Sequence, residues 1–474
     1  MAVFLMKPDN GPSLNRPLPR RASMSNRMAP KTLALGAGIA LVLAAATALW
    51  AQRTGYPGEE FVRRRQALAG RLQEGMVILF GVDTPTPGTH TRQDNDFYYL
   101  TGVEDLGAVL ALNAKTGEAS LFLPRQTPRE EMMGGANLLK DDKAKGRLGL
   151  ANIHDITYVD EFIARNARAF ASTWVRLQPG DTVDNARNEV LIFEGRKNRL
   201  HYNAQVTRDA FRLQRLQERF PGFAWKDVTP HLDALRMIKS AEEIAVLRRN
   251  GKLSAEAVKA AMTATRPGVF EYEVEAAAMH VILKGGARGA AYPPIVGSGP
   301  NTSIQHYDRN DRQAQAGDLV LMDFGADLDH LTMDITRTWP VSGTFTPEQR
   351  EVYELVLTVE KACLEAYRPG VTAADVQKHV AEVLKAKGLD GRGPRGGFGH
   401  MVGMCVHDVT VPYARLEEGM VFAIEPALYF PEKNIGVRIE DTVLITKDGC
   451  EVLTRDVPKE IADVEALVRG KKAP

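Results

Sequence analysis

The chain has 474 residues, 44% of them hydrophobic and 25% charged, with 60 basic and 59 acidic side chains giving a formal charge of +1. This is the composition of a globular protein of two or three domains, and it excludes collagen-like, coiled-coil and wholly disordered chains. The balanced charge argues against a nucleic-acid binder, and the three widely spaced cysteines, Cys363, Cys405 and Cys450, exclude a disulfide scaffold or a CxxC zinc site.

The first segment in chain order is a leader. Leu33–Leu49 is an almost purely apolar run, preceded by Lys7, Arg16, Arg20, Arg21, Arg27 and Lys31. That is the layout of a secretory signal. Residues 1–51 are expected to be a signal peptide, with Ala46-Thr47-Ala48 or Leu49-Trp50-Ala51 at the cleavage site. The protein is then periplasmic or secreted. At 17 residues the run reaches the short end of what an uncleaved membrane anchor needs, which is the alternative. The segment carries six basic residues and one acidic residue, so its removal takes the charge from +1 to −4.

Residues 55–235 read as a first domain of mixed strands and helices. Periodicity predicts a helix over Glu59–Leu72, strands over Met76–Val82, Ala108–Leu112 and Ser120–Leu123, and a helix over Phe162–Phe170. Trp225–Leu235 reads as a loose connector. Ser240 and Glu243 then form an S-x-x-E capping box. The helix it opens begins the second domain, residues 236–474.

That second domain holds the chemistry. Four apolar, strand-like runs each carry a carboxylate: Asp323 in DLVLMDF, Asp334 in LTMDITRT, Glu425 in MVFAIEPALY and Glu440 in GVRIEDTVLI. A buried carboxylate costs on the order of several kcal/mol unless it is paired. Arg337 and Arg438 serve one or two of the four, whereas a shared metal centre serves all. Asp323 and Asp334 suit two antiparallel strands with the aspartates opposite each other, and Glu425 and Glu440 suit a second such hairpin. Between the pairs lie Gly399-His400-Met401-Val402-Gly403 and then Val406-His407-Asp408. Carboxylates with one or two imidazoles suit Mn²⁺, Co²⁺ or Zn²⁺. Five such ligands suit two ions better than one. His407 lies seven residues after His400, so in an unbroken strand the two would face opposite ways; a bend near Gly403 brings them together.

In order, Asp323, Asp334, His400, Glu425 and Glu440 resemble the five metal ligands of the pita-bread metallopeptidases. IVGSGPNTSIQHY, GHMVGMCVHDV and IEPALYF also resemble segments of that family. In the first domain, RQDNDFYYLTG (residues 92–102) resembles the N-domain motif of the aminopeptidase P and prolidase branch. The resemblance implies an α/β (α+β) two-domain fold, with a C-terminal pita-bread domain of curved antiparallel sheet covered by helices. It implies two divalent cations per subunit, Mn²⁺ first, with Co²⁺ or Zn²⁺ as alternatives. Asp323 and His400 with Glu425 would hold one ion each, and Asp334 and Glu440 would bridge them. Glu425 is implied as the general base and then acid, with His306 and His407 on the substrate carbonyl. Arg438 is implied to orient Glu440 or line the substrate pocket, and Tyr98 to contact substrate, at the position where the family has an aromatic contributed by a neighbouring subunit. The implied substrate is a peptide with proline at position two. No nucleic-acid partner is implied, and a homo-oligomer, dimer or tetramer, is.

The sequence departs from the pattern at Gly396, where the family usually has histidine, and at Cys405, where it often has aspartate. Neither removes a ligand. Plainer readings exist for His306 as a surface histidine, His407-Asp408 as a structural pair and Tyr98 as a core aromatic. The competing functions are an Xaa-Pro dipeptidase, a metal-free peptide-binding module and a membrane-anchored scaffold. The leader generates the first prediction. N-terminal sequencing of protein from its native host should place the mature start between Ala48 and Gln52; full-length protein in the cytosol would contradict it.

Overall fold

Runs of Val, Leu and Ile build the first half around one mixed sheet. The computed structural model describes residues 55–85, 90–167, 169–170, 172–199, 202, 206–394, 399–409 and 415–470; the expected leader and Gly396 lie outside these. The strands are β1 (Met76–Phe80), β2 (Val109–Asn113), β3 (Ala119–Leu123), β4 (Asn152–Asp155), β5 (Thr173–Val175) and β6 (Trp225–Asp227), in the order β4-β3-β2-β1-β5-β6. β1 to β3 form an antiparallel meander, and β4, β5 and β6 extend its edges in parallel pairing. The helix Gly58–Leu72 buries Phe61, Leu68 and Leu72. The second expected helix begins earlier, at Val159, and runs to Ala167. The stretch expected as a connector is ordered as β6 and the helix Thr229–Met237. Asp227 accepts from the Thr229 amide and hydroxyl, and Pro230 falls in the first turn, where a missing N–H costs nothing.

The second half is antiparallel throughout. Ser240 and Glu243 close the capping box in both directions, at 3.1 and 2.9 Å, and start the helix Ala241–Ala264. The strands are β7 (Gly289–Ala290), β8 (Ile295–Ser298), β9 (Leu319–Asp323), β10 (Ala326–Asp327), β11 (Thr336–Pro340), β12 (Gly399–Met401), β13 (Val421–Ile424), β14 (Ala427–Phe430), β15 (Ile435–Arg438), β16 (Asp441–Ile445) and β17 (Cys450–Val452). They pair as β11-β9-β8, β12-β13-β16-β17, β14-β15 and β7-β10. The helices Pro347–Ala366 and Ala373–Ala386 share a buried core with the β13-β16 sheet through Val359, Cys363, Val380, Phe422 and Val443.

Two registers depart from the simple hairpins expected. Asp323 faces Thr336, not Asp334, which precedes β11 by two residues and therefore shares the same face. The chain between them turns at Asp329 and His330, both with positive φ (51° and 62°). β13-β16 and β14-β15 keep one common register, from Val421 opposite Leu444 to Phe430 opposite Ile435. They are one long hairpin interrupted at Glu425-Pro426, because proline has no N–H to give the ladder. Continuing the register puts Glu425 opposite Glu440.

The halves are joined by buried charge. Asp96, fully buried, accepts from Arg236 (2.9 Å), Arg187 (2.9 Å) and Arg176 (2.9 Å). Arg236 also bonds Asp181 (2.5 Å) and Asp408 (2.8 Å), and Lys239 bonds the other Asp408 oxygen (2.6 Å). Arg92 reaches Asp327 (2.8 Å) and the carbonyls of His330 and Met404. Burial alone would raise the Asp96 carboxyl; the three guanidiniums overcome it and hold the group well below the ordinary aspartate range. Removing one partner of such a cluster leaves uncompensated charge. Asp96→Asn should therefore lose on the order of 3–5 kcal/mol in urea unfolding. A depressed folded pKa stabilises above the unfolded value, so this contribution is complete above about pH 4 to 5. The wild-type advantage over Asp96→Asn should shrink as pH falls below that range.

Candidate metal centre

Strand parity assembles the site. His400 on β12 faces Ala423 on β13, and Ala423 faces Thr442 on β16. Glu425 and Glu440 lie two residues along from Ala423 and Thr442, hence on the same face. Thr442 stitches in the other sheet, since its hydroxyl donates to the Asp334 carbonyl (2.7 Å) and lies 3.2 Å from the Asp334 amide, which it accepts. Thr336 does the same for Glu440: the Glu440 amide donates to the Thr336 carbonyl (3.0 Å), and the Thr336 hydroxyl donates to Oε2 (2.6 Å). Asp323 joins through Tyr292, whose hydroxyl is 2.5 Å from both Asp323 Oδ1 and Asp334 Oδ1. His400 Nε2 lies 3.4 Å from Asp334 Oδ2 and 3.6 Å from Glu425 Oε1. The five predicted residues thus converge.

Asp323, Asp334 and Glu440 are buried at the base, whereas His400 and Glu425 are partly exposed. Burial, then the neighbouring carboxylates, pushes both Asp334 and Glu440 well above their usual range. The same causes, burial first, raise the Tyr292 phenol. Among the described residues the arginine or lysine that touches these carboxylates is Arg438, bonded to Asp323. One guanidinium does not balance four carboxylates, so the cluster is chemically complete with further positive charge. Donor atoms of Asp334, His400 and Glu440 lie within 4.8 Å of one another, close enough to share one ion. His400 Nδ1 lies 3.1 Å from the Met401 carbonyl, which can only accept. Nδ1 therefore donates to the backbone, which leaves Nε2, on the carboxylate side, as the nitrogen available to a metal. These residues fit divalent cations.

The bend expected near Gly403 is present and larger than a kink. β12 stops at Met401, and residues 403–407 form a tight loop closed by the Asp408 amide on the Met401 carbonyl (2.9 Å). A Cβ on Gly403 would lie 2.0 Å from Asp408 Oδ2, so only glycine permits the closure. The loop sets the His407 ring edge-to-face on His400, with centroids 4.4 Å apart. His407 Nδ1 bonds Glu189 Oε1 (2.7 Å).

Arg438 takes an orienting place, whereas Tyr98 and His306 are placed differently. Arg438 is buried and committed to Asp323, Thr336 and the Tyr429 hydroxyl, so it orients Asp323, and Glu440 only through Thr336. Tyr98 is a core aromatic: it is 1% exposed, stacked on His330 at 3.5 Å and edge-on to Phe61, which leaves no face for substrate. His306 stands exposed on a loop framed by the Glu271 carboxylate, which accepts from Ser298, Asn301, Tyr307 and Arg312. No bond from His306 to the five converging residues occurs among the described residues. Sequence reasoning missed Tyr292, Thr336, Thr442 and Glu189, because a lone hydroxyl or carboxylate carries no motif. A cavity of about 1570 Å³, lined by Arg176, Arg212 and Met279 among others, contains none of the five residues.

Residues 245–447 match the model of metallopeptidase family M24, and residues 61–173 match that of the aminopeptidase P N-terminal domain. The chain is 34% identical to an Xaa-Pro aminopeptidase of Escherichia coli, over 86% of this chain and 97% of that protein. It is 28% identical to the human Xaa-Pro dipeptidase, over 86% and 93%. Among solved structures it resembles aminopeptidase P from Escherichia coli with the inhibitor Pro-Leu (TM-score 0.73, 31% identity, 88% and 99% coverage). It also resembles proline aminopeptidase P II from Yersinia pestis (TM-score 0.73, 32%, 88% and 100%).

The cluster predicts its own metal dependence. Elemental analysis of Asp334→Asn and Glu440→Gln should show substantially less bound Mn²⁺ than wild type. Both should lose the rise in melting temperature that added Mn²⁺ gives wild type, since binding to the native state adds RT ln(1 + [L]/Kd). Wild-type metal content in both variants would refute the assignment.

Proposed function

The chain belongs to metallopeptidase family M24, and from that premise we propose that it releases the N-terminal residue from peptides whose second residue is proline. The carrying observation is the convergence of Asp323, Asp334, His400, Glu425 and Glu440 on one face, with His407 beside His400. Those five residues would hold two divalent cations, with Mn²⁺ the first choice. Such cations supply Lewis-acid polarisation of the scissile carbonyl and acidify a bound water.

The chain's own groups do the rest. Glu425, the most exposed of the four carboxylates, takes a proton from the attacking water on its carboxylate. It then returns that proton to the proline nitrogen as the C–N bond breaks. The return matters because the proline nitrogen cannot leave as an anion and must be protonated as the bond breaks. His407 stands beside the metal ligand His400, placed to hydrogen-bond the carbonyl oxygen as negative charge builds there. Arg438 and Tyr292 hold Asp323 and Asp334 in place. With the leader of residues 1–51 this becomes an exported enzyme, and the resemblance adds assembly as a homo-oligomer, dimer or tetramer.

The test is an assay of stripped enzyme given Mn²⁺, Co²⁺ or Zn²⁺. Xaa-Pro-Yaa tripeptides should be cleaved and Xaa-Ala-Yaa should not; turnover confined to Xaa-Pro dipeptides would make it a dipeptidase. His407→Ala should keep its metal while kcat falls about 10²–10³-fold, the usual loss for one oxyanion donor. His400→Ala should lose metal outright. If His407→Ala loses metal as His400→Ala does, the division of roles is wrong.

A further inference from the structure

We propose that Glu189, contributed by the N-terminal half, is the positioning residue that orients His407. The proposal rests on the role given to His407 above. Glu189 opens the helix Arg187–Lys197 and uses both carboxylate oxygens. Oε2 accepts from the Ala186 amide (2.8 Å), and Oε1 accepts from His407 Nδ1 (2.7 Å). Burial alone would raise the Glu189 carboxyl, yet the His407 bond and the Ala186 amide bring it below its ordinary value. Glu189 is thus ionised and can only accept, so the shared proton sits on His407 Nδ1. Nε2 is then the nitrogen for substrate, and it donates to the carbonyl oxygen when the ring carries both protons, the form that a carboxylate on Nδ1 favours.

The segment that carries Glu189 is fixed at several points. Arg187, two residues earlier, is buried against Asp96 and Asp233. Asp181 is held by Arg236, and the Thr182 carbonyl by Asn95. The Val183 carbonyl accepts from the Val406 amide (2.9 Å), one residue from His407. A carboxylate held this way fixes the rotation of the ring it bonds, as carboxylates do behind ligand and catalytic histidines elsewhere. Residues 403–406 are buried, and among the described residues Glu189 is the hydrogen-bond partner of the His407 ring. An interaction across 218 residues of sequence leaves no local signature, which is why no motif announces it.

The experiment uses full-length mature enzyme, wild type and with Glu189→Ala, His407→Ala and the double substitution. Glu189→Ala removes one capping contact on a partly exposed helix, which the fold tolerates. With an Xaa-Pro-Yaa substrate, kcat should fall about 10–100-fold, the usual loss for such a partner, with KM and metal content unchanged within about twofold. The double variant should be no slower than His407→Ala alone. In Zn²⁺-loaded enzyme with ¹⁵N-labelled histidine, wild type should show a downfield, exchange-protected Nδ1–H resonance that His407→Ala removes and thereby assigns. Glu189→Ala should remove it too. Full kcat in Glu189→Ala, persistence of the resonance, or a double variant slower than His407→Ala overturns the proposal. A wild-type enzyme inactive on every Xaa-Pro-Yaa peptide overturns the activity itself; an active wild type with an unchanged Glu189→Ala overturns only the role of Glu189.

Discussion

Asp96 is the point on which the rest of the molecule hangs. It is fully buried, and three arginines from three separate segments, Arg176, Arg187 and Arg236, end on its two oxygens. Arg236 carries the connection onward to Asp408, which closes the loop bearing His407. A charge this deep is tolerable only when every oxygen is engaged, so the geometry of all four segments is specified at once. The N-domain motif RQDNDFYYLTG is read most simply in this light. Arg92, through Asp327, and Asp96, through Arg236, anchor the halves to one another; Asp94 holds Arg176 within the first half, and the aromatics of the motif fill the core.

The metal cluster solves the opposite problem. The Asp96 network has a partner for each charge, whereas Asp334 and Glu440 are buried among like charges and pushed toward their neutral forms. The fold forces them together by hydrogen bonds from neutral groups: Tyr292 and Thr336 donate to the carboxylates, while Thr442 ties down the Asp334 backbone. Those donors orient the carboxylates without neutralising them. The site is therefore stable in shape and deficient in positive charge, which is the condition for binding cations tightly. The cost of gathering the carboxylates is met by the packing of the two sheets around them.

Much of this was legible in the sequence. Carboxylates inside apolar strands stand out because they contradict the pattern around them, so Asp323, Asp334, Glu425 and Glu440 were found directly. The bend at Gly403 follows from strand parity, whereas the role of His407 is implied by the family resemblance. The register was less legible: the actual offset of Asp323 against Thr336 depends on a turn at Asp329-His330 that no glycine announces. The resemblance points Tyr98 toward substrate and Arg438 toward Glu440 or the pocket; the fold packs Tyr98 on His330 and binds Arg438 to Asp323, partners distant in sequence. The partnership of Glu189 with His407 is likewise tertiary. Residues whose role is set by partners across the fold carry no local periodicity to betray them.

The long hairpin from Val421 to Ile445 has a consequence for how the chain can vary in length. Its two ladders share one register on either side of Pro426, and only in that register do Glu425 and Glu440 face each other. One residue inserted between Glu425 and Phe430 would turn alternate side chains to the other face and carry a carboxylate out of the cluster. An insertion at the tip, residues 431–434, lies beyond the last paired rung, Phe430 opposite Ile435, and leaves both ladders untouched. The hairpin can therefore be lengthened at its tip, but along its arms any added residues must come in pairs.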